Sequence, residues 1–142
     1  MNVIGILRHG IGIAGVPPIG LAIARGLVID GIRHADPASL AIQAAGPEEE
    51  RAWLRRIARV HRTAPLPPGL VLAIRVGNGE RAVGAVLVAE RETDLGDRPG
   101  SILRIGLETI ELDRRDGSPP VAVAPSLVGL AEAQAWARAH VA

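Results

Sequence analysis

The apolar positions of this 142-residue chain change their period along its length. Residues 2 to 7 (NVIGIL) form a short apolar run closed by the glycine-rich GIGIAG, which predicts a buried strand followed by a turn. Ile19 to Val28 predict a short apolar helix whose ends are weakened by Gly20 and Gly26. Val28 to Ile32 fit either a second strand or the continuation of that helix. Asp36 and Pro37 have the form of a helix start, N-cap and first helical position, with Gly46 as the stop. Pro47 then opens a second helix, PEEERAWLRRIARVHR, with Glu48, Glu49 and Glu50 at its positive end and Arg55, Arg56, Arg59 and Arg62 towards its negative end. Trp53, Ile57 and Val60 share one face of it, and Arg51, Arg55, Arg59 and Arg62 line another as a solvated row.

After the turn-rich TAPLPPG the period shortens. LVLAIRV, a turn over Gly77 to Glu80, and RAVGAVLVAE predict a hairpin, with Val83, Val86 and Val88 as β-branched positions of its second arm. ETDLGDRPGS reads as a loop, ILRIGLETIEL as one long strand, Asp113 to Pro120 as a polar turn and PVAVA as a last short strand. Ser126 reads as the cap of a closing helix, LVGLAEAQAWARAHVA. Helices, then a run of antiparallel strands, then a helix describe one α+β domain over residues 1–142, a mostly antiparallel sheet with helices packed on it.

Composition narrows the chemistry. The chain has no Phe or Tyr, so its core is Ile, Leu, Val and Ala with Trp53 and Trp136 as the large anchors. All 16 basic residues are Arg, and the formal net charge is only +1. With so few aromatics to stack on bases, nucleic acid is not an expected partner. The absence of cysteine excludes disulfides and thiolate chemistry within the chain. Residues 10 to 32 are apolar, but Pro17, Pro18, Arg25 and Asp30 interrupt them, so a buried segment is expected rather than a membrane span. Arg8 and Ala22-Ile23-Ala24 have the outline of a secretion signal. Apolar residues ahead of Arg8 and a Gly/Pro-broken middle argue against it, and for a cytoplasmic protein.

The histidines, His9, His34, His61 and His140, show no metal-ligand spacing, and none of the serines lies in a nucleophile-elbow motif. Leu7-Arg8-His9-Gly10 resembles the entry of the histidine phosphatases, where the His is the nucleophile and the Arg clamps the phosphate. Arg59 to Ala64 is similar to their second Arg segment, and Arg91-Glu92 with Leu95-Gly96 to the acid-bearing stretch. Where that family places a second His, this chain has VAVAP, with Pro125 at the position.

From about Gly31 the order of elements resembles the GNAT superfamily of acyl-CoA N-acyltransferases, over residues 31–142, with residues 1–30 unmatched. IRHADPASL is similar to the family's first strand entering its first helix, and PEEERAWLRRIARV to the second helix. LVLAIRVGNGERAVGAVLVAE resembles its central hairpin, and ILRIGLETIEL its long fourth strand. VAVAPSLVGLAEAQAWARAH is similar to the strand, turn and cofactor-binding helix that follow. SLVGLA keeps one glycine of the family's turn and lacks its leading basic residue, a degenerate form of the cofactor motif.

The resemblance implies acetyl-CoA as cofactor, held by Val121, Val123, Ser126, Leu127, Val128 and Gly129. Its pyrophosphate would meet the free N–H groups and positive dipole end of the closing helix. It also implies splayed fourth and fifth strands with the pantetheine between them, and direct attack by a small-molecule or peptide amine. Glu108 and Glu111 are the available bases; three residues apart on one strand, they would face opposite sides. From another class, the apolar helices and an open sheet edge suit a non-catalytic interaction protein that forms a homodimer.

Overall fold

The computed structural model describes residues 3–35, 37–61, 65–78 and 81–140. They form an α+β domain around a mixed eight-stranded sheet, ordered β3-β2-β4-β5-β1-β6-β7-β8. The elements run α1 (Val3–His9), β1 (Ile11–Ala14), α2 (Pro17–Arg33), a single 3₁₀ turn (Pro37–Ser39), β2 (Leu40–Ala45), α3 (Glu48–Arg55), β3 (Arg59–His61), β4 (Leu70–Asn78), β5 (Arg81–Ala89), α4 (Glu92–Leu95), β6 (Ser101–Ile105), β7 (Ile110–Asp113), β8 (Val121–Val123) and α5 (Leu130–His140).

The amino-terminal third departs from the sequence expectation. Residues 2–7 were expected as a strand, but Val3–His9 is helical, with Ile6 and Leu7 buried. An apolar run of this length has no period of its own, and α1 is decided by its packing on β5 and α2. Gly84 of β5 makes that packing fit: at φ 156° it has only hydrogens where a Cβ would stand 1.8 Å from the Leu7 carbonyl oxygen. Gly10, at φ 79°, turns the chain out of α1, and its N–H donates to the Leu7 carbonyl. The expected turn GIGIAG therefore contains β1, a fully buried strand lying parallel between β5 and β6.

Of the two options for residues 28–32, helix continuation is observed, since α2 starts at Pro17 in the favoured first position and runs unbroken to Arg33. The helix expected over 36–46 is a 3₁₀ turn followed by β2; Asp36 lies outside the described residues. Ile42 and Ala44 are buried and Ala41 and Gln43 exposed, a period of two that the alanines obscured. The helix expected over 47–62 ends at Arg55. Its tail becomes the edge strand β3, parallel to β2, while Arg62 lies outside the described residues.

The hairpin of β4 and β5 forms as expected, with Gly79 and Glu80 of its turn outside the described residues. ILRIGLETIEL is two strands, not one: β6 and β7 pair antiparallel across a turn closed by the Gly106 N–H donating to the Thr109 carbonyl.

The sheet has two unlike faces. Ile11, Ile13, Ile42, Leu72, Ile74, Val76, Val86, Val88, Leu103 and Leu112 form the first face, packed under α1, α2, α3 and α5 into the main core. The second face carries a smaller cluster of Ala14, Leu70, Ala89, Leu95 and Ile102, covered by the one turn of α4 and by Leu66. Among the described residues no helix covers this face over β2, β4 and the start of β5, and Ala41, Gln43 and Arg75 are exposed there.

Candidate functional site

A trough of about 420 Å³ occupies the uncovered part of the second face. Its floor is a cross-strand row: Gln43 of β2 stands opposite Arg75 of β4, which stands opposite Ala85 of β5. Next to it Ala73 pairs with Leu87. Register fixes these contacts, because partners across antiparallel strands point to the same face. Pro65, Pro67 and Leu70 form one wall, and Arg98, Pro99 and Gly10 the other.

The charge of the trough is one-sided. Arg75 and Arg98 are its ionisable lining residues, and no carboxylate lines it among the described residues. Arg98 donates through Nη1 to the Asp94 carbonyl at 3.0 Å, and its remaining N–H groups have no partner among the described residues. Arg75 makes no hydrogen bond or ion pair among the described residues. An exposed guanidinium flanked by Ala73, Ala85 and Leu87 offers a planar fork to a carboxylate or phosphate and an apolar surface to whatever carries it.

On the other side of α4 the same face is electrostatically closed. Arg104 of β6 donates to both oxygens of Glu92, at 2.7 and 2.8 Å, and to Asp113 of β7 at 2.9 Å. The Arg104 hydrogen bonds hold the Glu92 carboxyl below its usual range. The Asp113 carboxyl is lowered first by the Arg115 backbone N–H and then by Arg104. Arg104 in turn is raised by Glu92 above the ordinary arginine range.

The residues singled out for acyl transfer are not gathered at one cleft. Glu108 lies in the exposed turn between β6 and β7 rather than on a strand. Glu111 is exposed on β7, opposite Arg104, three strand positions from β5 and the trough. Val121 and Val123 lie on β8, whose register with β7 (Leu112 with Val121, Ile110 with Val123) is closed by strand pairing. The expected splay between these two segments is therefore absent. Ser126 does not cap α5, which begins at Leu130; the Gly129 carbonyl accepts the Ala133 N–H instead. The Val128 N–H is used by the Ala22 carbonyl and the Val128 carbonyl by Arg25. Leu127 is exposed, and the space beside Gly129 is open.

His9, the candidate of the phosphatase resemblance, ends α1 at the mouth of a separate cleft. Arg59 is on the edge strand β3, on the far side of β2, β4, β5 and β1 from β6. The free Arg75 was legible only as a polar position inside LVLAIRV; its solvent-facing side follows from the alternation with Ile74 and Val76. Among the described residues, no helix is long and apolar enough to cross a membrane. Comparison with protein-family models, with curated proteins and with solved structures finds no match to this chain.

Proposed function

We propose that this domain binds a small acidic molecule with an apolar body in the trough over β2, β4 and β5. One observation carries the reading: among the described residues Arg75 stands unpaired beside Ala73, Ala85 and Leu87, in a trough lined by a second guanidinium and by no carboxylate. Arg75 and Arg98 take the anionic group, Gln43 offers an amide beside it, and Ala73, Ala85 and Leu87 take the apolar part. The volume falls within the ~300–1,000 Å³ typical of small-molecule sites. A carboxylate or phosphate held by a forked guanidinium gains both charge and geometry.

An acyl-CoA belongs to this class, since it joins phosphates to an apolar arm, and the trough suits it better than the turn at Ser126 to Gly129. Acyl transfer to an amine is the finer form of the proposal, and it requires turnover in addition to binding. Glu108 and Glu111 are too remote from the trough to act as its base, so binding is the part of the reading that the geometry supports.

Thermal unfolding tests it, with acetyl-CoA, octanoate and the uncharged octanol as probes. Saturation at ~100 times Kd adds about 2.7 kcal/mol, a rise of several degrees for a domain of this size. Acetyl-CoA or octanoate is expected to raise the melting temperature and octanol not to, and Arg75→Ala is expected to abolish the rise. The proposal fails if neither acid stabilises the protein at about 10 mM, far above a useful Kd, or if Arg75→Ala responds like the parent.

A further inference from the structure

A second cavity, of about 430 Å³, opens between α1 and the segment after β7. It is divided from the trough by a strap in which the Gly100 N–H donates to the His9 and Gly10 carbonyls and the Ser101 N–H to Gly10. Ile6 and Gly5 form an apolar wall, and His9, Ser101, Arg114 and Asp116 supply the polar groups. Unlike the trough, this cleft contains both signs of charge.

The two charges do not cancel by contact. Arg114 makes no hydrogen bond or ion pair among the described residues, although Asp116 is only two positions away. The Asp116 carboxylate accepts the Ser118 hydroxyl and the Ser118 N–H on Oδ1, in a side-chain-closed turn. These bonds, then the Asp116 N–H and last the Arg114 charge, lower its pKa and keep it ionised. Neither Ser118 bond uses Oδ2. A ligand with one charge would satisfy one of these groups and be repelled by the other. A ligand with an ammonium and a carboxylate on one carbon satisfies both.

We infer that this cleft binds a free α-amino acid with an apolar side chain: ammonium on Asp116, carboxylate on Arg114, side chain along Ile6. His9 and Ser101 line the same space and provide hydrogen-bonding groups beside the ligand's charged end. The inference does not depend on the trough having a ligand.

The test is amide chemical-shift mapping of the full chain with each of the twenty common L-amino acids, alone, at about 10 mM. At least one with an aliphatic or aromatic side chain is expected to move His9, Ser101 and Arg114 and to leave Arg75 unmoved. Its N-acetyl and methyl-ester derivatives, each lacking one charge, are expected to bind about tenfold or more weakly. Arg114→Gln is expected to show the same loss. So is Asp116→Asn, a variant that keeps the Oδ1 acceptor for Ser118 and hence the turn. The inference is overturned if none of the twenty moves these signals, if the blocked derivatives bind as well as the parent amino acid, or if folded Arg114→Gln and Asp116→Asn bind undiminished.

Discussion

Each face of the sheet is fastened by an arginine held in a carboxylate fork, and the two forks live in different solvents. On the helix-covered face, Arg25 of α2 donates through Nε and Nη2 to the two oxygens of Glu50 on α3, at 2.8 and 2.7 Å. Arg25 Nη1 reaches the Val128 carbonyl and Trp53 Nε1 donates to the same Glu50, so the Arg25–Glu50 pair joins α2, α3 and the approach to α5. The Arg25 side chain is 10% exposed and that of Glu50 2%. On the second face the Arg104 side chain is 35% exposed, Glu92 41% and Asp113 22%. Bond lengths are nearly equal in the two clusters. What differs is the environment in which a deleted partner leaves the survivor, and that decides the energy.

Glu50→Ala is therefore expected to have the largest effect, about 3–5 kcal/mol in denaturant unfolding, because Arg25 would stay buried without its counter-charge. Replacing both partners, Arg25→Met with Glu50→Leu, is expected to recover part of this loss. Recovery stays incomplete because Trp53 Nε1 loses its acceptor, a buried donor worth about 1–3 kcal/mol. A double variant less stable than Glu50→Ala would mean that the charges themselves, and not the unpaired survivor, dominate this face.

Trp53→Phe separates the third partner. Trp53 is almost fully buried and meets Trp136 of α5 edge to face, with centroids 6.5 Å apart. Losing the Nε1 bond and part of that contact is expected to cost about 1–2 kcal/mol while leaving the Arg25–Glu50 fork paired. Arg104→Ala should cost less, about 0.5–1 kcal/mol, and the cost should shrink in added salt, since water reaches all three charged groups of that cluster. A loss as large as that of Glu50→Ala would break the comparison between the faces.

The same contrast explains what was legible in the sequence. The β4–β5 hairpin, β8 and α5 could be read because their signals are local: β-branched alternation around a Gly-Asn-Gly turn, and helix formers at the end of the chain. The first 46 residues hid theirs. NVIGIL and LAIQAA are mostly Ile, Leu and Ala, which fit helix or strand, and packing chose: a close approach at Gly84 made α1, and pairing with β3 and β4 made β2. ILRIGLETIEL has strand residues at both ends, and the chain divides it at Gly106, whose N–H closes the turn on Thr109. The trough was illegible for a related reason. Arg75 is one polar residue in a strand until the register sets Gln43 and Ala85 beside it and the Pro65 and Pro99 loops wall it in.

The smallest expected effect also has the most specific form. Glu92 is held below its ordinary 4.5 by Arg104, and Asp113 below its ordinary 3.8 by the Arg115 N–H and Arg104. A carboxyl with a depressed folded pKa binds fewer protons folded than unfolded. Its stabilisation is fully present above the unfolded value and disappears as pH falls through the folded one. The gap in stability between the parent and Arg104→Ala should thus be constant from neutrality to about pH 5, and narrow as pH falls below the unfolded values and then through the lowered folded ones, as both carboxylates take up protons. Asp113 should keep part of its shift in the variant, through Arg115, so its side of the closure is the weaker. A gap that persists unchanged at low pH would mean that Arg104 acts through the packing of its aliphatic stem on the second face rather than through its charge. The two forks would then differ in kind and not only in burial.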